Sequence, residues 1–244
     1  MDLLLLGDLH YDLRQLDWVL AEADDHDVVV LAGDLLDISS TVPIDAQVPV
    51  VLGYLERLAA RATTVVCSGN HDLTGRDAEG EKAALWLTRA EASGVVIDDA
   101  TLVVPGARIT VCPWWDGPQG RARLERELTE QAAAAGDQAD DRWIWVYHWP
   151  PSDLPVSWTG RQSYGDADLA GWIARFSPSL VLSGHVHQSP WVDGGSWIAR
   201  SGATWIINAG RQIGPVPSHA VVDLDAWSAR WTSYEDSGEQ RLDQ

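Results

Sequence analysis

The chain has 244 residues, 45% of them hydrophobic and 22% charged, which suits one large soluble domain with a full core and leaves no Gly/Ser/Pro linker to divide it. Its formal net charge of −19, with no Lys/Arg run, repels polyanions at long range and argues against a steered grip on duplex nucleic acid. Two cysteines, Cys67 and Cys112, are too few for a disulfide framework and stand in no C-x-x-C pattern, so Cys67, in an apolar run, reads as a buried free thiol.

In chain order, the apolar run at 3–6 predicts a first strand. Leu13, Leu16, Val19, Leu20 and Ala23 then recur at helical spacing over 12–23. Residues 28–32 read as a buried strand, followed by a polar Ser/Thr/Pro loop to Pro43 and a helix over about 46–60. A third strand is expected at 64–67 and a third helix at 79–92. This alternation is βαβ logic, with parallel pairing and right-handed crossovers.

The second half changes character. Residues 95–97, 101–104 and 108–112 read as short strands with tight Gly/Pro turns, an antiparallel addition. A helix follows over 121–135, ended by Gly136. Residues 144–147 and 180–182 are buried strands, separated by a Pro/Ser/Trp loop and a helix near 166–176. Four further strands, at 196–200, 204–207, 220–224 and 229–233, are spaced like a β-meander. So many strands would overfill one sheet, which favours two packed mixed sheets with helices outside. Residues 1–234 form the expected single domain, and 235–244 a charged C-terminal tail expected to fray. The N-terminus shows no basic n-region or cleavage site, and no stretch approaches the roughly 18 apolar residues of a membrane span. The expectation is therefore a cytoplasmic protein with no membrane partner; the sequence leaves its oligomeric state open.

Seven histidines are present, and five fall in short clusters that trail predicted strands. The clusters are Asp8-Leu9-His10, Gly33-Asp34, Gly69-Asn70-His71-Asp72, Tyr147-His148 and Gly184-His185-Val186-His187. Residues just past strand C-termini share one edge of an α/β sheet, which is where such folds keep their chemistry. Oxygen and imidazole donors converging there suit hard or borderline divalent ions, and they are too many for one ion. Two-metal phosphoryl hydrolysis needs cations about 3.5–4 Å apart that clamp nucleophile and phosphate oxygens. Asp34, alone after a strand and a glycine, is the natural bridging carboxylate. Asp8 and His10, at i and i+2 of an extended segment, would point the same way, and His185 and His187 share that spacing. Asn70 offers an amide oxygen and His148 an imidazole. His71 adjoins Asn70, so it lies near the ions without needing to bind one. With Asp37 or Asp72 as partner it can be protonated near neutral pH and donate to a leaving-group oxygen.

The ordered set D-x-H, GD-x-x-D, GNHD, a lone His and GH-x-H resembles the calcineurin-like metallophosphoesterase superfamily, over about residues 5–225. The resemblance implies an α/β fold, a four-layer α/β/β/α sandwich of two mixed sheets flanked by helices. It implies two divalent ions (Mn²⁺, Fe²⁺/Fe³⁺ or Zn²⁺), with Asp8, His10, Asp34 and His187 at one and Asp34, Asn70, His148 and His185 at the other. A bridging hydroxide would attack phosphorus in line, and His71 corresponds to the GNH histidine, paired with a carboxylate matching Asp37. One departure is informative. Phosphoprotein phosphatases read GD-x-V-D-R-G, whereas here Gly33-Asp34-Leu35-Leu36-Asp37-Ile38-Ser39 lacks the arginine, which disfavours a protein phosphatase. His71 excludes the branch that carries Cys at that place.

What remains resembles small bacterial phosphodiesterases and phosphomonoesterases acting on small phosphate esters, with nucleotide or aryl esters as candidates. A DNA exonuclease shares the motif order but fits poorly with a compact acidic chain. A non-catalytic scaffold fits poorly because no ligand position is missing. Specificity is expected from the loops at 39–45, 114–120 and 150–165. Trp149, Trp158 and Trp191, in loops after His148 and His187, either stack an aryl or nucleobase group or cap their own loops. Trp172, Trp197, Trp205 and Trp227 fit core positions. Arg161 and Arg211 either reach a phosphate oxygen or are surface groups. His26, His219 and Asn208 read as structural.

Overall fold

The computed structural model describes residues 1–134 and 142–243, and its first half alternates strand and helix. The elements are β1 (Asp2–Leu6), α1 (Leu13–Glu22), β2 (Val28–Ala32), α2 (Ile44–Ala59) and β3 (Thr63–Cys67). β1 is mostly Leu, β2 is Val, Leu and Ala, and β3 is Thr, Val and Cys, and each has buried residues on both faces, the pattern of strands covered above and below. α1 starts where the Asp12 carboxylate accepts the Arg14 N–H, and its buried Leu16, Val19 and Leu20 form one stripe.

The helix expected at 79–92 does not form. In its place stand a short hairpin, β4 (Gly75–Arg76) with β5 (Lys82–Ala83), and 3-10 turns over Leu87–Ser93. The Asp77 side chain accepts the N–H groups of Glu79 and Glu81, a local turn that competes with helix, and Gly80 closes it at φ 82°. The strand expected at 95–97 reduces to a single bridge between Val96 and Val65.

The second half contains β6 (Thr101–Val104), β7 (Ala107–Val111), α3 (Pro118–Ala134), β8 (Arg142–Val146), α4 (Ala167–Phe176) and β9 (Leu180–Ser183). It continues with β10 (Ile198–Ser201), β11 (Thr204–Asn208), β12 (His219–Asp223), β13 (Ser228–Thr232) and β14 (Ser237–Arg241). The helix stop expected at Gly136 lies outside the described residues. One six-stranded sheet runs β14-β13-β12-β1-β2-β3 and the other β10-β11-β9-β8-β7-β6. β1, β2 and β3 are parallel, as are β7, β8, β9 and β11; antiparallel strands complete each sheet.

Two expectations for the C-terminal part need correction. The four strands expected as a meander are divided between the sheets, because β11 pairs in parallel with β9 while β12 crosses over to pair with β1. Residues 235–243 are not the frayed tail expected. β14 pairs with β13 along its whole length, and beyond it Leu242 is buried, with its carbonyl accepting the Trp205 indole N–H and its N–H donating to the Trp227 carbonyl.

Alternation along the strands sorts the core into three interfaces. Leu3, Leu5, Val28, Val30 and Val65 face Ile109, Ile144, Val146 and Leu182 between the sheets. Leu4, Leu6, Val29 and Leu31 face Leu16, Val19, Leu55 and Leu58 of α1 and α2. Trp143, Trp145 and Val181 face Leu124, Leu128, Leu169 and Trp172 of α3 and α4. The result is an α/β/β/α sandwich, with the parallel strands at the centre of the second sheet and on one side of the first, where β3 is the edge. Among the described residues no helix is long and apolar enough to cross a membrane. Cys67 and Cys112 are buried free thiols.

Candidate metal centre

The turns that leave the parallel strands meet at one edge of the sandwich, and they are conformationally unusual. Asp8, His10, Tyr11, Asp34 and His185 have φ of 57°, 43°, 56°, 54° and 68°. Left-handed backbone costs a residue with a Cβ roughly 1–3 kcal/mol and persists only where its surroundings over-determine it. The segment of Asp8 and His10 is therefore a left-handed turn rather than the extended run expected, yet both side chains face one centre. Three backbone bonds hold it to the turn after β2: Asp8 N–H to Gly33 at 3.1 Å, His10 N–H to Asp34 at 2.9 Å and Tyr11 N–H to Leu35 at 2.9 Å.

Asp72 holds the next turn. Its buried carboxylate accepts the N–H groups of Asp34 (2.8 Å), Gly69 (2.9 Å), Leu36 (3.0 Å) and Leu35 (3.1 Å). Asp37, the other partner the sequence left open for His71, places Oδ1 at 3.6 Å from His71 Nδ1. The same Nδ1 accepts the Ile38 N–H at 3.3 Å. Burial holds His71 below its ordinary pKa against the raising influence of Asp34.

Two donor clusters stand on this frame. In the first, His10 Nε2 lies 3.1 Å from His187 Nε2 and 3.8 Å from Asp8 Oδ1, and His187 Nε2 lies 3.2 Å from Asp8 Oδ1. In the second, His148 Nε2 lies 3.3 Å from Asp34 Oδ2 and 3.2 Å from His185 Nδ1. Asp34 Oδ2 belongs to both, since it is also 3.7 Å from His10 Nε2. Asp34 Oδ1 accepts the His71 N–H at 2.8 Å, which turns Oδ2 inward. His148 Nδ1 lies 2.7 Å from the Ala32 carbonyl; as donor there it leaves Nε2 to face the cluster. Glycine is required at two close approaches: a Cβ on Gly69 would stand 2.3 Å from Asp34 Oδ1, and one on Gly184 2.6 Å from Asp8 Oδ2.

The donors fit divalent ions. Their side-chain atoms gather within 4.8 Å in the sets Asp8, His10, His187 and Asp34, His148, His185; His71 joins His10 and Asp34 in a third such set. Among the described residues the buried Asn70 Oδ1 has no hydrogen-bond partner, nor has His185 Nε2. A buried acceptor left unsatisfied costs about 1–3 kcal/mol, so an oxygen-seeking cation beside Asn70 would remove a real penalty.

The charges of the metal-free cradle compensate one another. Burial would raise Asp8, but hydrogen bonds from His10 and His187 hold it well below the usual carboxylate value. Burial would lower His148, yet the charge and hydrogen bond of Asp34, with Asp8 beyond, push it up to about 9. Burial and the neighbouring His148 push His185 down to about 3. A pH dependence follows with a definite sign. His148 binds a proton in the folded metal-free protein that the unfolded chain releases above its ordinary value of 6.5, so its stabilisation is complete below pH 6.5 and is lost as pH rises through about 9. Asp72, pushed up to about 7 by burial and by Asp34, acts in the same direction at lower pH. In chelator, the melting temperature is expected to fall from pH 6.5 to pH 9; thermal melts that rise over that window would show that His148 is not held protonated.

A family model described as calcineurin-like phosphoesterase matches residues 1–189. The chain belongs to the calcineurin-like phosphoesterases. Solved structures agree in fold. A dimetal phosphatase from Danio rerio superposes with a TM-score of 0.67 at 13% identity, with 99% of each chain covered. A protein from Thermus thermophilus gives 0.59 at 15% identity over 99% of this chain and 98% of that one. Purple acid phosphatase from yellow lupin gives 0.61 at 12% identity over 100% of this chain and 52% of that one. No curated protein sequence matches the chain significantly.

In this calcineurin-like phosphoesterase the second donor cluster lies under an aromatic wall. Tyr164 stacks on the His185 ring at 5.1 Å and 20°, and Trp114 lies 5.4 Å from His185 and 5.6 Å from His148. Trp149 stacks on Trp114 at 5.1 Å and 17°, and its indole N–H donates to the Tyr164 carbonyl. Of the three loop tryptophans singled out in the sequence, Trp149 alone joins this wall; the Trp158 indole N–H bonds the Asp193 carbonyl and Trp191 packs on Trp231. Trp114 and Tyr164 lie in loops expected to set specificity, but nothing local distinguishes them from other aromatic residues.

Arg161 is exposed, whereas Arg211 supports the site. Its Nε donates to the Asp8 carbonyl and its backbone N–H to the His187 carbonyl, both at 2.9 Å. Asn208, buried, donates to the Val186 carbonyl at 3.0 Å and so holds the same histidine loop from below. His26 Nδ1 lies 3.1 Å from Asp2 and His219 packs on Trp18, outside the clusters. Arg211→Ala is expected to weaken metal binding by about 10–100-fold, the usual effect of removing an outer support of metal ligands. Calorimetric Mn²⁺ titration checks this; unchanged affinity would mean that Asp8 and His187 hold their places without it.

Proposed function

We propose that the chain is a dinuclear metal-dependent phosphoesterase that hydrolyses small phosphodiesters or phosphomonoesters. The observation that carries the reading is the pair of donor clusters sharing Asp34 Oδ2, with Asn70 Oδ1 buried and unpartnered. Asp8, His10, Asp34 and His187 would hold one ion, and Asp34, Asn70, His148 and His185 the other. Imidazole and oxygen donors of this kind suit Mn²⁺, Fe or Zn²⁺. Bound there, such ions supply Lewis acidity toward phosphate oxygens and lower the pKa of water toward neutrality.

The chain's own groups do the rest. Asp34 and Asp8 place negative charge where cations must sit, and the backbone N–H of His71 orients Asp34. The His71 ring, with Nδ1 beside Asp37 and the Ile38 N–H, can offer Nε2–H to a leaving-group oxygen, and in its protonated form give that proton up and return to neutral imidazole. A net charge of −19 favours small esters over a nucleic-acid polymer.

The test is hydrolysis of p-nitrophenyl phosphate and bis-p-nitrophenyl phosphate by Mn²⁺-supplemented and chelator-treated protein, with bound metal counted by elemental analysis. Metal-dependent turnover of at least one ester, with two ions per chain, is expected. Silence on both esters with two ions bound would leave a scaffold reading in its place, and one ion per active chain would remove the dinuclear assignment.

A further inference from the structure

We propose that Trp114, Trp149 and Tyr164 form a subsite for a planar aromatic substituent, aryl or nucleobase, carried on the phosphate of the substrate. The inference rests on the phosphoesterase reading above, because the wall gains its meaning from the donor cluster it covers. Two observations support it.

The first is position. Tyr164 stacks on His185, and Trp114 leans over both His185 and His148, so the rings begin about one ring diameter from the Asp34, His148 and His185 cluster. A phosphate engaged there would carry its ester group within reach of them. The second is accessibility. Tyr164 is 48% exposed, although it is large and apolar over most of its surface, and the Trp149 indole N–H holds its backbone carbonyl. Holding such a ring open to solvent over a polar centre leaves apolar surface uncovered, and a stacking partner would cover it.

The two flanks of the centre differ in kind. His71, Asp37 and the Ile38 N–H lie on the His10 side, where a proton can be given to a departing oxygen. The aromatic wall lies on the His185 side. A phosphodiester suits both flanks at once, with one ester oxygen leaving toward His71 and the retained ester group resting on the wall. Base or aryl stacking on such rings tolerates many ring types, so the class of substituent is planar and aromatic rather than one particular base.

The test measures binding rather than turnover. Phenylphosphonate, cyclohexylphosphonate and methylphosphonate, which share one head group, are titrated calorimetrically into Mn²⁺-loaded protein. Phenylphosphonate is expected to bind at least about tenfold tighter than methylphosphonate and clearly tighter than cyclohexylphosphonate, which has similar bulk and no π face. Tyr164→Ala and Trp149→Leu should each cut the phenyl-to-methyl ratio at least about threefold, while Tyr164→Phe, which keeps the ring, retains it. Equal affinities, cyclohexyl binding as tight as phenyl, or a ratio that survives both ring removals would overturn the subsite and leave the phosphoesterase reading standing. Failure of all three phosphonates to bind protein carrying its ions would count against that reading, and the subsite would fall with it.

Discussion

Replacing Asp34 with Asn is expected to lower kcat/KM by at least about a thousandfold, some 4 kcal/mol of transition-state stabilisation. The substitution nearly preserves shape. Oδ1 still accepts the His71 N–H, and the turn is still held by Asp72, which bonds the Asp34 backbone rather than its side chain. What changes is the one side-chain atom common to both donor clusters. With the amide oxygen kept on the His71 N–H, the Oδ2 position, at 3.3 Å from His148 Nε2 and 3.7 Å from His10 Nε2, becomes an NH₂ that cannot ligate a cation. Metal content should drop below two ions per chain while the melting temperature in chelator moves by only a few degrees, because the substitution also removes repulsion between Asp34 and Asp8. Elemental analysis, kinetics and melts on one preparation decide the matter. A variant with near-normal rate and full metal content would remove Asp34 from the bridging position.

His71→Ala should lower kcat by about 10²–10⁴ through a different route, the range for losing a general acid. The ring is held by the Ile38 N–H and lies edge-on to His10 at 4.5 Å, with Asp37 Oδ1 3.6 Å from its Nδ1. Loss of the side chain leaves the backbone N–H on Asp34, so the metal cradle should persist and metal content should stay near that of the parent. The defect should also grow as the leaving group worsens, being larger for an alkyl than for a p-nitrophenyl ester, because a good leaving group needs little protonation. Loss of metal along with activity would instead make His71 a ligand, consistent with its place among the gathered donors.

Much of the site could be read one residue at a time. Asp8, His10, Asp34, Asn70, His148, His185 and His187 are recognisable because each follows a short apolar run, and a parallel sheet brings the ends of such runs to one edge whatever their distance in sequence. The same periodicity yields the two mixed sheets, since runs of Val and Leu with buried residues on both faces need cover on each side. Local pattern failed at 79–92, where apolar spacing suggested a helix but the Asp77 side chain captured the backbone first. It failed again at the C-terminus, where the polar strand Ser237–Arg241 has no inward-facing run to announce it and is held by pairing with β13 and by the buried Leu242.

The tertiary structure alone decided between Asp37 and Asp72. Both stand within reach of His71 in sequence, but the Asp72 carboxylate is drawn to three N–H groups 36 to 38 residues earlier in the chain, leaving Asp37 beside the ring. It also decided which aromatic residues gather beside the donors, because Trp114 follows β7 while Trp149 and Tyr164 belong to the connection between β8 and α4, and they meet only where β7 and β8 end side by side. The candidate donors are written in local residue type and strand position, which chain order preserves. The left-handed turns, the partner of His71 and the aromatic wall depend on backbone hydrogen bonds and ring contacts between segments distant in sequence, and no local periodicity encodes those.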